Sequence, residues 1–429
     1  MLGNKKYKMS DKKLLLENFL SLGMIQVVSY IIPLISLPYL SRVLGVENFG
    51  RVFFAYAFLQ YFIVITDFGF GLSAVKEIAQ TANKKEECDK IFNSVMGAKC
   101  LLLCISFIVL SAIVFFVPKF RQDYLIYLFT FFMVIGNAIF PVWYFQGIQH
   151  MKYITFINVT SKLIFLVLMF IFIKEPGQYI YVPLLNSMGY IVSAIIGIFI
   201  AVKRFKVHLY IPSLKNTLSQ LRNSAEFFLS RVSASIITNT NSFALGVIAS
   251  PLMVGFYTAA EKIYMAYDSL FAQVNNVMYP YITQTKNVIL WKKVLSISMI
   301  FNAILCVLVL LYGKNIIITF YGAEMEPAYK ILQIFAIIIL IKIPSTMMGY
   351  PLLAALGYTK VANLSVVAAS FVHFLGLSVL IITNSLNIYS LACMAGISET
   401  FICLYRLVFV VKYKLLKKGV YYLDGAKTI

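Results

Sequence analysis

Apolar runs of roughly 18 to 25 residues, each long enough to cross a bilayer, follow one another from Asn18 to Val411 with only short polar breaks between them. Backbone in hydrocarbon must satisfy its own hydrogen bonds, so a chain of this pattern is held to a bundle of membrane-spanning helices or to a closed barrel. The runs are too long for barrel strands, which need only about 9–11 residues. The expectation is an all-α polytopic membrane protein. About twelve spans can be drawn, at 18–40, 52–74, 91–117, 124–147, 153–173, 178–202, 225–248, 254–282, 293–312, 329–356, 361–383 and 388–411. Hydrophobic residues make up 61% and charged residues 13% of the chain, against about 25% charged in soluble domains. The first run is full length and lacks a small-residue cleavage site, so it is expected to stay as an anchor.

Charge gives the orientation. With the N-terminus inside, the inner turns hold "KKYKMSDKK", "KEIAQTANKKEECDK", "KRFKVH", "WKK" and "KYKLLKK", about 24 Lys and Arg against about 6 outside. Both termini are therefore expected in the cytoplasm. The net charge of +20 is mostly this topology, and no aromatic-basic platform of the nucleic-acid kind accompanies it. Six Cys show neither CxxC nor metal-ligand spacing and are expected as buried, reduced thiols.

The longest inner loop, 203–224, divides the chain into an N-terminal lobe (1–202) and a C-terminal lobe (225–411), followed by a basic tail (412–429). A faint repeat agrees, with Gly50 and Ala55 answered about 205 residues later by Gly255 and Ala260. Two six-helix lobes around a central cavity are expected. Pro33 and Pro38 in span one, Pro141 in span four, and Pro344, Gly349 and Pro351 in span ten mark bends, either static kinks or hinges.

Charges inside the spans carry the functional reading. Each costs roughly 2.5–3.5 kcal/mol at a span centre, so the mid-span Lys162, Asp268, Lys342 and Glu399 are expected to face a cavity or one another. Arg406, Glu226 and Lys99 lie nearer cytoplasmic ends and are expected to snorkel. Arg231, Ser235, Thr238 and Ser242 form a polar stripe on span seven, widened by Asn239 and supplemented by Asn241. Glu261, Tyr264, Asp268 and Asn275 form another on span eight, with Lys262 beside it. Bases outnumber acids in the spans, which favours an anionic cargo. Ion pairs that hold the bundle together, such as Lys342 with Glu399, are the competing explanation. Catalysis finds no support: the three His are scattered, and neither a Walker A loop nor GxSxG occurs.

The stretch "PYLSRVLGVENFGRVFFAYAFLQYFIVITDFGFGLSAVKEIA" resembles the Wzx-type polysaccharide flippases of the multidrug/oligosaccharidyl-lipid/polysaccharide exporter superfamily. So does "FFLSRVSASIITNTNSFALGVIASPLMVGFYTAAEKIYMAYDSLFAQVNNVMYPYIT". The resemblance implies transfer of undecaprenyl-diphosphate-linked oligosaccharide repeat units to the periplasmic leaflet, for O-antigen, capsule or exopolysaccharide, by alternating access. It also implies polysaccharide polymerase and chain-length proteins as partners. Arg42 and Lys262 match basic positions of its motifs, where that family usually has Arg for Lys262. The substrate-binding candidates are then Arg42, Lys162, Arg231, Asn239, Lys262 and Lys342. Asp67, Asp268 and Glu399 are either carriers of a coupled proton or sodium ion, or counter-ions to the lysines. No cofactor is expected. A cation-coupled multidrug antiporter of the same superfamily is the nearest rival, and a membrane enzyme of polysaccharide assembly a more distant one.

Overall fold

A computed structural model describes residues 4–81 and 84–416; side chains are described for all of these except 4–23, 25–27, 30, 229–231, 233–234, 236–239 and 270. Every regular element is helical among the described residues. Nine helical segments among them are long and apolar enough to cross a membrane. One of the nine, Ile31–Thr81, is 51 residues long and spans more than one crossing, because helix α1 (Asn4–Asp67) is broken at Gly45, whose φ of 72° lies outside the helical region. The break falls in the turn expected between spans one and two, at a glycine that can take positive φ. The helix runs on through Pro33 and Pro38.

Contacts divide the chain into two compact units, 1–235 and 236–429. In the first, α1 is followed by α2 (Phe70–Thr81), α3 (Lys85–Phe116), the short α4 (Pro118–Gln122), α5 (Tyr124–Ile139), α6 (Val142–Gly147), α7 (Met151–Phe172) and α8 (Tyr181–Lys203). Pro141 cannot continue the helix and separates α5 from α6. Lipid offers no hydrophobic drive between helices, so close approach through small residues holds them together. A Cβ on Gly136 of α5 would stand 2.5 Å from the Tyr190 backbone of α8, and one on Gly189 of α8 would stand 2.6 Å from the Ser161 carbonyl of α7. Phe92, Trp143, Phe145 and Ile78 fill a fully buried core among α2, α3 and α6.

Of the segment expected as an inter-lobe loop, 203–224, only the part before Leu214 is irregular, because α9 (Leu214–Ile248) begins there. Ser213 starts the helix by accepting from the Asn216 and Thr217 amides through its hydroxyl and carbonyl. The irregular part is pinned to α3: Asn93 donates to the His208 carbonyl (2.8 Å) and accepts from the Tyr210 amide (3.0 Å).

The second unit takes the end of α9 and continues with α10 (Pro251–Thr285), α11 (Val288–Tyr321), α12 (Ala328–Met348), α13 (Thr359–Ile382) and α14 (Ile388–Lys412). One π-helical turn, Gly349–Ala354, prolongs α12. Helices α9 and α10, at 35 residues each, are long enough to span but richer in polar residues, and neither is among the nine apolar segments. None of the six cysteines is in a disulfide, and Cys100, Cys104 and Cys393 are exposed on helix flanks rather than buried. A thiol is apolar enough to face lipid, which explains that departure from expectation.

Candidate functional site

Each unit gathers polar and charged side chains at the depth of its apolar segments. In the first, Lys162 of α7 donates to the Ser29 hydroxyl of α1 (2.6 Å). It is half-buried, and no acid among the described residues lies within ion-pair distance of it. A second group surrounds Lys99 of α3, whose ammonium is 3.8 Å from the Asp67 carboxylate. Lys99 is only 3% exposed. The expectation that it snorkels is therefore wrong: its amine turns inward to Asp67 at the end of α1. Both face a cavity of about 290 Å³ whose polar lining also includes Gln60, Asn137 and Gln146.

In the second unit, Lys342 of α12 is 2.9 Å from Asp268 and 3.8 Å from Glu399. It also donates to the Tyr264 hydroxyl at 3.1 Å. Tyr264 is itself stacked on Phe335, with ring centroids 4.7 Å apart. Mid-span Asp268, Lys342 and Glu399 thus meet one another, as the insertion cost demands. One ammonium between two carboxylates carries a formal charge of −1, which attracts no further anion. The arrangement suits a bundle-holding role better than phosphate capture.

Arg406 of α14 is the larger surprise. It is 6% exposed rather than snorkelling, and its guanidinium donates to the Ser345 carbonyl (2.7 Å), the Ser365 hydroxyl (2.9 Å) and the Ala362 carbonyl (3.4 Å). The cause lies in α12. The Gly349 amide turns back to Thr346, leaving the Ser345 carbonyl without its helical donor, and Arg406 supplies one. Pro351 has no N–H for the Met347 carbonyl, which accepts instead from the Trp291 indole at 3.0 Å. Of the positions expected to interrupt span ten, Gly349 and Pro351 do so and are held by two buried donors, while α12 runs on through Pro344.

Ser242 of the α9 stripe packs on protein. Ser242 donates to Glu261 of α10 (2.9 Å), and both are buried. Asn241 and Ser398 flank His373 at 2.9 and 2.8 Å, a three-helix chain that sequence spacing gave no reason to expect. Lys262 is half-buried next to Glu261, and Arg42 is exposed near the Gly45 break. The side chains of Arg231, Thr238 and Asn239 lie outside the described residues. At the end of the first unit that holds the Gly45 break, Arg51 bridges Asp123 (3.0 Å) and Glu47 (2.8 Å). Among the described residues no group of three or more His, Cys, Asp or Glu is placed to hold a metal ion.

Residues 15–286 match the family model described as polysaccharide biosynthesis protein. The putative O-antigen transporter of Escherichia coli (strain K12) is 30% identical over 374 residues, covering 85% of this chain and 90% of that protein. The chain belongs to the polysaccharide biosynthesis protein family. Its fold is that of the MOP superfamily of transporters. The lipid II flippase MurJ in an inward closed conformation superposes with a TM-score of 0.66 at 16% identity, over 94% of this chain and 89% of that one. A multidrug resistance MATE family transporter in an inward-facing conformation gives 0.65 at 14%, over 91% and 99%. The resemblance drawn from the two sequence stretches is thereby confirmed, and the protein is a multi-pass membrane transporter rather than an enzyme.

Proposed function

We propose that the chain moves a polyprenyl-diphosphate-linked oligosaccharide from the cytoplasmic to the periplasmic leaflet for surface polysaccharide assembly. The expected twelve spans serve it, formed by the two arms of α1, α3, α5 with α6, and α7 to α14 with α12 prolonged by its π turn, and both termini are cytoplasmic. The observation that carries the reading is Lys162, a half-buried lysine whose partner is a hydroxyl rather than a carboxylate. Its charge is left to act on an anion, and in a low dielectric that action is strong. A diphosphate is an anion of the right kind, since it cannot cross hydrocarbon unaided while its prenyl tail stays in lipid.

The amide-lined cavity beside Lys99 supports the carbohydrate half of the reading, because Gln60, Asn137 and Gln146 offer both donors and acceptors to sugar hydroxyls. Arg42, Arg231, Asn239 and Lys262 remain candidates for the headgroup. Lys342 drops to a structural role in this reading. Asp67, Asp268 and Glu399 each lie within 4 Å of a lysine, which favours counter-ions over proton or sodium carriers. Export of the E. coli relative's kind of cargo, O-antigen, is the nearest guide to substrate class.

Gene deletion and complementation test the proposal. Wild type and Lys162→Arg should restore surface polysaccharide, whereas Lys162→Gln, at equal protein level, should lower it at least tenfold and leave repeat units on the cytoplasmic leaflet. Full restoration by Lys162→Gln would remove Lys162 from the path, and unchanged polysaccharide after deletion would remove the function.

A further inference from the structure

Between the start of α7 and the end of α8, the first unit has a groove of about 500 Å³. It is lined by Lys152, Lys203 and Arg204 together with Tyr153, Phe156 and Phe199. Tyr153 stands between two of the cations, with Lys152 Nζ at 5.9 Å and Arg204 Cζ at 5.5 Å from its ring centroid. The two phenylalanines are each 61% exposed, and Ile195 farther along α8 is 64% exposed. The bases are gathered at one end of the helix pair, and the apolar surface runs away from them toward the middle of the spans.

This polarity is that of a lipid molecule. Three bases gathered in one groove raise its positive potential, which draws an anion. Exposed phenylalanines below them belong in hydrocarbon, where acyl chains can lie along them. The same end of the unit holds Lys85 and Lys206, so it is the more basic end, the side that faces anionic headgroups. Basic pockets between spanning helices on that side suit phosphate headgroups carrying chains.

We propose that the α7–α8 groove binds an anionic phospholipid of the cytoplasmic leaflet, its phosphate among Lys152, Lys203 and Arg204 and its acyl chains along Phe156 and Phe199. The groove is distinct from the inward-facing Lys162 and Lys99 groups, and the proposal does not depend on the transported cargo. A bilayer phospholipid is the occupant because the groove sets exposed phenylalanines beside its phosphate contacts and its lining holds no side-chain amide for sugars.

The test uses the purified full-length protein, delipidated in neutral detergent, with bound lipid counted by native mass spectrometry. Phosphatidylglycerol should bind at least tenfold more tightly than phosphatidylcholine. The Lys152→Gln/Lys203→Gln/Arg204→Gln triple variant should lose that preference while its thermal midpoint in phosphatidylcholine stays at the wild-type value. If the triple variant does not fold, Lys203→Glu alone should still cut phosphatidylglycerol binding at least threefold. Undiminished preference in either variant overturns the site. Displacement of phosphatidylglycerol by millimolar inorganic phosphate would make it a free-phosphate site, and displacement by equimolar undecaprenyl diphosphate would make it a cargo site. Either result overturns the phospholipid assignment.

Discussion

Gly349 and Arg406 should be energetically coupled. The guanidinium is buried against α12, and a Cβ on Gly349 would stand 2.6 Å from Nη1 and 2.9 Å from Cζ of Arg406. Arg406 cannot retreat without giving up its bonds to the Ser345 carbonyl (2.7 Å) and the Ser365 hydroxyl (2.9 Å). Gly349→Ala should therefore cost ~1–3 kcal/mol as overpacking. Arg406→Ala loses two well-formed charged hydrogen bonds, ~3–6 kcal/mol in gross terms, and leaves the Ser345 carbonyl unpaired. Removing a desolvated cation returns several kcal/mol, so a net loss of ~2–3 kcal/mol is expected. In the double variant the clash has no partner, and Gly349→Ala should cost at least ~1 kcal/mol less than it does in wild type. Reversible unfolding by SDS in mixed micelles measures this, followed by Trp291 fluorescence in a Trp143→Phe background, since the chain has two tryptophans and Trp291 bonds to Met347 beside the bend. Effects additive within ~0.5 kcal/mol would refute the clamp.

Further outcomes follow from the same geometry. Lys342→Met leaves the partly buried Glu399 and the 37% exposed Asp268 without their cation and should cost ~1–3 kcal/mol, read as a lowered unfolding midpoint in detergent. Adding Asp268→Asn and Glu399→Gln should recover most of it. Arg51→Gln breaks pairs to Asp123 and Glu47 that are partly exposed, 30% on the Arg51 side chain, and should change stability by less than ~1 kcal/mol in the same titration. Gly136→Val, forced against the Tyr190 backbone at 2.5 Å, should separate α5 from α8 and abolish accumulation in the membrane, measured by immunoblot of membrane fractions.

Much of the architecture was legible because bilayer thickness turns sequence into helix length. Nine long apolar helical segments appear among the described residues, the Pro141 and Gly349–Pro351 interruptions reappear in the helices, and the run drawn at 52–74 is broken at Phe68 and Gly69, both at positive φ. The break in α1 falls in the turn drawn between spans one and two, at 41–51; what the sequence did not single out is Gly45, whose positive φ makes it. Mid-span Lys342, Asp268 and Glu399 were correctly expected to seek company, though which partner Lys342 takes depends on helix rotation that spacing does not specify. Lys99 and Arg406 were misjudged for one reason. Distance to a span end says how far a side chain can reach, while the pull inward came from groups far away in sequence: Asp67 for Lys99, and the orphaned Ser345 carbonyl for Arg406. His373, one of three scattered histidines in the sequence, is fixed by Asn241 and Ser398 on two other helices, a meeting that no single-helix pattern records.

The central claim is translocation of a diphosphate-linked oligosaccharide with Lys162 in its path. The most direct measurement reconstitutes the purified protein in liposomes with fluorescent undecaprenyl-diphosphate oligosaccharide and follows its accessibility to an impermeant quencher. Wild type should move label between leaflets at least tenfold faster than protein-free liposomes and than Lys162→Gln, while a fluorescent organic cation is not exchanged. Label that moves no faster than in protein-free liposomes, together with exchange of the cation, would contradict the account.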